Sequence, residues 1–257
     1  MSYETVTLRR ENHVVVINLI NLGNDPAKMA QLSGELWDLC AEITSDEAAR
    51  VIILTGEGQN SFSMGTDLPG GISRTKEELQ RKMCSIASPV ARLDLPVIAA
   101  INGEALGQGL ELVLACDIRI AVETASIGLP HITKGLIPWD GGTQRLSRLV
   151  GRGKAMEMIL TGEIIDAQDA YRIGLVNRVV HANELMEVAM NIAQEMASRG
   201  PLALRYAKEA IYKGMDQTLE QGLRLEADLY FLLQTTSDRT EGVTAFREKK
   251  TPRFEGR

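Results

Sequence analysis

Hydrophobic positions change period along the chain, and the changes mark its elements. Residues 5–9 and 14–19 flank the turn residues Glu11 and Asn12 and predict a β-hairpin. Met29, Leu32, Leu36, Leu39 and Ile43 then recur at helical spacing, so residues 27–43 predict a helix with one buried face. The run from Val51 to Leu54 is short and uniformly apolar, which suits a strand buried on both sides. A loop of Gly, Ser and Asn leads to Gly71, a helix is expected from about Lys76 to Arg92, and a second wholly apolar strand runs from Val97 to Ile101. Strand, glycine turn and helix thus occur twice, at VIILTGEG and VIAAINGE, as expected of stacked ββα-like units in the α/β class. From residue 141 the patterns are mostly helical, at 141–150, 154–160, 183–199, 202–213 and 218–235, with one strand at 175–180. The last helices keep apolar residues on more than one face, as in LRLEADLYFLLQ. That predicts packing against the core or another subunit.

Composition narrows the function. With 257 residues, 44% hydrophobic and 24% charged, the chain can bury one sizeable core plus an accessory subdomain. A net charge of -6 without a basic tract argues against a nucleic-acid partner. No apolar run approaches the ~20 residues that span a bilayer, and MSYETVTLRR lacks an apolar signal region, so a cytoplasmic location away from the membrane is expected. Cys40, Cys84 and Cys116 are far apart, as are His13, His131 and His181. Their spacing fits neither a disulfide framework nor a metal site, and buried reduced thiols are expected.

Candidate chemistry concentrates between Val97 and Thr143. After the strand come Gly103, Gly107 and Gly109, then a short apolar helix carrying Glu111, and further on His131 and Asp140 in loops bounded by Pro130, Pro138, Gly141 and Gly142. Two loops, 62–67 and 107–109, could each aim a backbone N–H at one oxygen and form an oxyanion hole, or be two ordinary glycine turns. A carboxylate in LELVLA is costly unless paired or used, so Glu111 either ion-pairs with an arginine such as Arg119 or reacts. His131 reads as a structural histidine or a base. Asp140 reads as the N-cap of the following helix or as the partner that fixes the His131 tautomer. GxGxxG, GxxxxGK[ST] and GxSxG are absent from the places that matter, which removes dinucleotide, P-loop and serine-hydrolase readings.

The blocks SFSMGTDL, PVIAAINGEALGQGLELVLACDIRIA, GLIPWDGGTQRLSRLVGRGKAMEMILTGEIIDAQDAYRIGLVNRVV and EGVTAFREKKTPRFEGR together resemble the crotonase superfamily, whose namesake is enoyl-CoA hydratase. The resemblance implies a crotonase-like spiral of ββα units over residues 1–200 and a C-terminal α-helical oligomerisation region over 201–257. It also implies a homotrimer or dimer of trimers, and enolate chemistry, normally on an acyl-CoA, with no cofactor or metal. Position by position, the oxyanion donors fall on the amides of Thr66 and Gln108, and Glu111 falls on the first catalytic glutamate of the hydratases. Their second glutamate falls on His131, in GLPHITKG.

Three departures accompany this match. His131 and Asp140 resemble the His–Asp dyad of 6-oxocamphor hydrolase, a relative that cleaves a C–C bond of a cyclic β-diketone. An aspartate near Asp140 is also the nucleophile of the 4-chlorobenzoyl-CoA dehalogenases, whose histidine base aligns with Ser88. NLGNDPAKMA departs from the NRPxxxNAL-like segment that helps hold the nucleotide of CoA, and Gln108 stands where glycine is usual. In the tail, Lys249 and Lys250 could reach a phosphate on a neighbouring subunit or form a solvated charge run. Water addition to an enoyl-CoA-type substrate is the leading expectation. Hydrolytic cleavage of a β-diketone is the second, and a non-catalytic oligomeric binding protein is a remote third.

Overall fold

The computed structural model describes residues 3–20, 26–58, 61–63 and 85–257. β1 (Val6–Glu11) and β2 (Val14–Leu19) form the expected hairpin. Glu11 pairs with Val14, so the turn is Asn12–His13, one residue later than the sequence suggested, with Asn12 in the left-handed region at φ 54°. α1 (Pro26–Thr44) buries the predicted stripe of Met29, Leu32, Leu36, Leu39 and Ile43. β3 (Val51–Gly56), β4 (Ser61–Ser63), α2 (Ala87–Ala91), β5 (Val97–Ile101), β6 (Glu104–Leu106), α3 (Gln108–Val113), β7 (Ile118–Val122) and β8 (Ser126–Gly128) follow.

The large sheet has the order β1-β2-β3-β5-β7 and closes with β10 (Arg178–Val180), all neighbours parallel except β1 and β2. Its central strands β3 and β5 are buried along their whole length, as a parallel sheet covered on both faces requires. The small sheet runs β4-β6-β8 and ends on antiparallel β9 (Ile164–Asp166). Each of the pairs β3/β4, β5/β6 and β7/β8 therefore lays its first strand in one sheet and its second in the other, a spiral of the kind the resemblance implies. Asn102 straps one turn of the spiral to the next: its side chain accepts from the Gly56 amide at 3.1 Å and donates to the Gly56 and Gly58 carbonyls. A Cβ at Gly56 would lie 2.3 Å from the Ser61 carbonyl, so this corner admits only glycine.

A 3₁₀ turn (Pro130–Lys134), α4 (Gly142–Val150), α5 (Arg152–Thr161) and α6 (Ala167–Arg172) complete the rim. α7 (Leu185–Ala197) lies across β2, β3, β5 and β7. The tail consists of α8 (Pro201–Met215), α9 (Leu219–Leu233) and α10 (Ser237–Glu248). Lys208 docks α8 on the spiral through the Leu95 carbonyl at 2.8 Å and Asp117 at 2.7 Å, and Arg50 holds the Ala197 and Phe254 carbonyls. Ile211, Met215, Leu219, Leu223 and Phe231 remain exposed on these helices.

Several expectations shift. Of the helix expected over 76–92, α2 covers 87–91 and residues up to 84 lie outside the described ones. The strand expected at 175–180 shortens to β10, because Gly174 turns at φ 76° and the Leu175 and Val176 amides bond back to Ala170. α10 has no counterpart in the sequence pattern, since it buries only Asp238 and Ala245 and shows no apolar stripe. Cys40 and Cys116 are buried thiols, as expected, and burial pushes both up to about 12. Cys84 lies outside the described residues.

Candidate active site

Glu111 owes its place to glycines. Gly107, at φ 56° and ψ -125°, makes the bend from β6 into α3 that a side chain would resist. Two residues on, a Cβ at Gly109 would stand 1.9 Å from the Ser63 carbonyl, so the end of β4 lies directly on the first turn of α3. Gln108 opens α3, which puts its N–H at the helix's positive end, and its residue is buried. Thr66, the other expected oxyanion donor, lies outside the described residues, three positions beyond Ser63.

The Glu111 side chain is fully buried, and its two oxygens differ. Oε1 accepts the Asp140 amide at 2.7 Å and the Gly142 amide at 2.8 Å. Oε2 accepts no hydrogen bond from the described residues and lies 3.8 Å from His131 Nε2, beyond direct hydrogen-bond length. Burial drives the carboxyl up from 4.5 to about 7. The Gly142 amide works against this, the Asp140 charge adds to it, and the Asp140 amide and Arg145 oppose it more weakly. A carboxyl poised near neutrality suits proton transfer in either direction. Gly142 is fixed by the same contact, since a Cβ there would meet Glu111 Oε1 at 3.0 Å and Pro138 Cβ at 2.8 Å.

His131 sits in the 3₁₀ turn that Pro130 starts and Gly135 ends in the left-handed region, and it is 8% exposed. The turn brings it to Glu111, so two of the three expected ionisable groups meet. Asp140 joins through its backbone. Its carboxylate accepts from Ser85 Oγ at 2.5 Å, from the Ile86 and Ala87 amides at 2.9 Å and from Ser88 Oγ at 3.4 Å, and burial raises its pKa against those donors. Asp140 thus caps a helix, as one reading had it, but the helix is α2, some fifty positions earlier. α4 has Gly141 as its N-cap residue instead, with no side-chain cap. The proposed Arg119 partner for Glu111 is corrected as well: Arg119 donates to the Leu175 carbonyl at 2.8 Å and the Cys116 carbonyl at 2.7 Å. A cavity of about 680 Å³ opens elsewhere, between α4 and α8, lined by Arg119, Arg148, Lys208 and Tyr212 among others but not by Glu111 or His131.

Residues 9–257 match the family model described as enoyl-CoA hydratase/isomerase. A crotonyl-CoA hydratase of Syntrophomonas wolfei is 38% identical over 262 aligned positions, covering 99% of both chains. A short-chain-enoyl-CoA hydratase of Clostridium acetobutylicum is 40% identical over 261, covering 97% of both. The chain belongs to the enoyl-CoA hydratase/isomerase family. The crystal structure of an enoyl-CoA hydratase from Bacillus anthracis superposes with a TM-score of 0.89 at 42% identity, over 99% of this chain and all of that one. The crotonase-like fold and the enzyme class expected from the sequence are therefore borne out.

Within this family member, Asn21–Asp25 of the departing NLGNDPAKMA segment lie outside the described residues. Lys250 pairs with Glu248 at 2.9 Å on the surface, and Lys249 ends α10 in the left-handed region. Among the described residues no three metal-binding side chains cluster, and no helix is long and apolar enough to cross a membrane. Sequence reasoning missed Ser85, Arg145 and the Gly142 amide as parts of the site. The double glycine after Asp140 was the one available signal, because a backbone donor leaves no trace in residue type.

Proposed function

We propose that this enzyme adds water across the double bond of an enoyl-CoA. The observation that carries the reading is Glu111 Oε2, without a hydrogen-bond donor among the described residues, buried and 3.8 Å from His131 Nε2, on a carboxyl whose other oxygen is already fixed by two amides. A buried acceptor left without a donor is costly, and the cost is met where substrate or water completes it. The thioester carbonyl lies against the Gln108 and Thr66 amides, each such donor being worth ~3 kcal/mol when the oxygen becomes an enolate. One of the pair Glu111 and His131 takes a proton from water as its oxygen bonds to the β-carbon. The other delivers a proton to the α-carbon, so that the sum is addition of water.

The β-diketone hydrolase reading needs the Asp140 carboxylate at His131. Four donors from Ser85, Ile86, Ala87 and Ser88 occupy that carboxylate, so the geometry favours hydration. The exposed apolar residues of α8 and α9 support a C-terminal oligomerisation region over 201–257, beside a core of 1–200, and a homotrimer or dimer of trimers. Hydration of crotonyl-CoA, followed by loss of the conjugated thioester's ultraviolet absorbance, tests the proposal. Glu111→Gln and His131→Ala are expected to abolish it. Substantial turnover by Glu111→Gln, or no binding of CoA thioesters by the unaltered enzyme, would refute the reading.

A further inference from the structure

All three polar parts of Asp140 are engaged, and each faces a different element. The carboxylate lies on the first turn of α2, where the N-cap residue Ile86 makes no side-chain cap of its own. The carbonyl accepts Arg145 Nη1 at 2.8 Å, and that guanidinium closes over Gly141, where a Cβ would be 2.1 Å away. The N–H donates to Glu111 Oε1 at 2.7 Å. Between Pro138 and Gly142 the segment contains two adjacent glycines, the least self-restraining of residues, and yet it must hold two amides on one oxygen atom. Something outside the segment has to fix it.

We propose that Asp140 is a positioning residue: by anchoring its carboxylate to Ser85, Ile86 and Ala87 it holds its own amide and that of Gly142 against Glu111 Oε1, leaving Oε2 to face His131. This rests on the reading of Glu111 as the reacting carboxyl. Among the described residues, the charged groups facing Glu111 are Asp140 and Arg145 from the segment and α4, and His131 from the 3₁₀ turn when it is protonated. The anchor acts on Glu111 in two opposed ways. The Asp140 charge favours the neutral carboxyl, while the amides it positions favour the carboxylate. No direct contact with the reacting atoms is required of the Asp140 side chain, in contrast to an orienting partner of His131 or a nucleophile.

Two substitutions separate anchoring from charge. In Asp140→Asn the side-chain oxygen can still accept from the Ile86 and Ala87 amides and the NH₂ can donate to Ser85 Oγ, so the anchor survives without its charge. Asp140→Ala loses both. We expect kcat for enoyl-CoA hydration to stay within about threefold for Asp140→Asn and to fall about 10- to 100-fold for Asp140→Ala, with KM little changed, because a small displacement of a catalytic group costs that much. The Glu111 carboxyl is also titrated by infrared difference spectroscopy against Glu111→Gln. Both variants lack the charge, so a higher Glu111 midpoint in Asp140→Ala than in Asp140→Asn reports loss of the amide donors. The proposal is overturned if the two variants are equally impaired, or if their Glu111 midpoints coincide. Should Asp140→Ala fail to fold, Ser85→Ala withdraws one donor from the same carboxylate: a lower kcat at unchanged KM is expected, and an unaffected kcat overturns the anchor. The infrared titration needs no substrate, so it gives its answer even if crotonyl-CoA is not turned over.

Discussion

Burying Glu111 should make the enzyme's stability depend on pH in a direction opposite to most carboxylates. Its carboxyl rises from 4.5 to about 7 in the fold. The native state therefore holds the proton more tightly than the unfolded chain. The sign follows: stability from this group is complete below about pH 4.5 and is lost as pH climbs to about 7, while the unfolded carboxyl ionises freely and the buried one resists. At ~1.4 kcal/mol per pH unit the linkage amounts to ~3 kcal/mol, of which roughly 2.5 falls between pH 5 and pH 8. Glu111→Gln keeps an oxygen for the Asp140 and Gly142 amides and removes the titration. Urea unfolding of both proteins at pH 5 and pH 8, at one protein concentration, should show the native enzyme losing about 2 to 3 kcal/mol relative to the variant across that interval. Glu111→Gln should thus gain on the unaltered protein in stability as pH rises from 5 to 8. Parallel pH dependences would refute the claim that burial at this carboxyl sets its protonation.

Other substitutions probe the glycines and the buried arginine. Gly142→Ala pushes a methyl against Glu111 Oε1 and Pro138, so hydration should fall about 10-fold or more for a stability loss of only ~1 to 2 kcal/mol, read by turnover and urea midpoint together. Gly109→Ala must move the Ser63 carbonyl, and a loss of ~2 kcal/mol or more in stability is expected from chemical denaturation; a neutral result would mean that β4 does not lie on α3. Arg119→Met strands the Leu175 and Cys116 carbonyls and should cost about 3 kcal/mol, while the infrared midpoint of Glu111 stays where it was; a moved midpoint would restore the Arg119 ion pair.

What could be read from the sequence was whatever burial writes into residue type. The uniform apolar runs at Val51 and Val97 gave the two central strands, and the stripe from Met29 to Ile43 gave α1. Glu111 stood out because an acid in LELVLA contradicts its surroundings. Three-residue strands such as β4, β6 and β8 are too short to carry a period, and α10 touches the core too little to need one. The partners of Asp140 were hidden for a different reason. A cap normally serves the helix that follows it, whereas this one crosses to α2, and only the folded spiral brings Ser85 and Asp140 together.

Glu111 and the two amides that fix it belong to successive turns of the spiral, separated by about thirty residues. The helix that carries Glu111 supplies neither donor to Oε1: both come from the loop that follows the next strand pair, so the affinity of this carboxyl for a proton is set jointly by burial and by a distant stretch of chain. The protonation of Glu111 is thus a property of the assembled spiral and not of the short helix on which it sits.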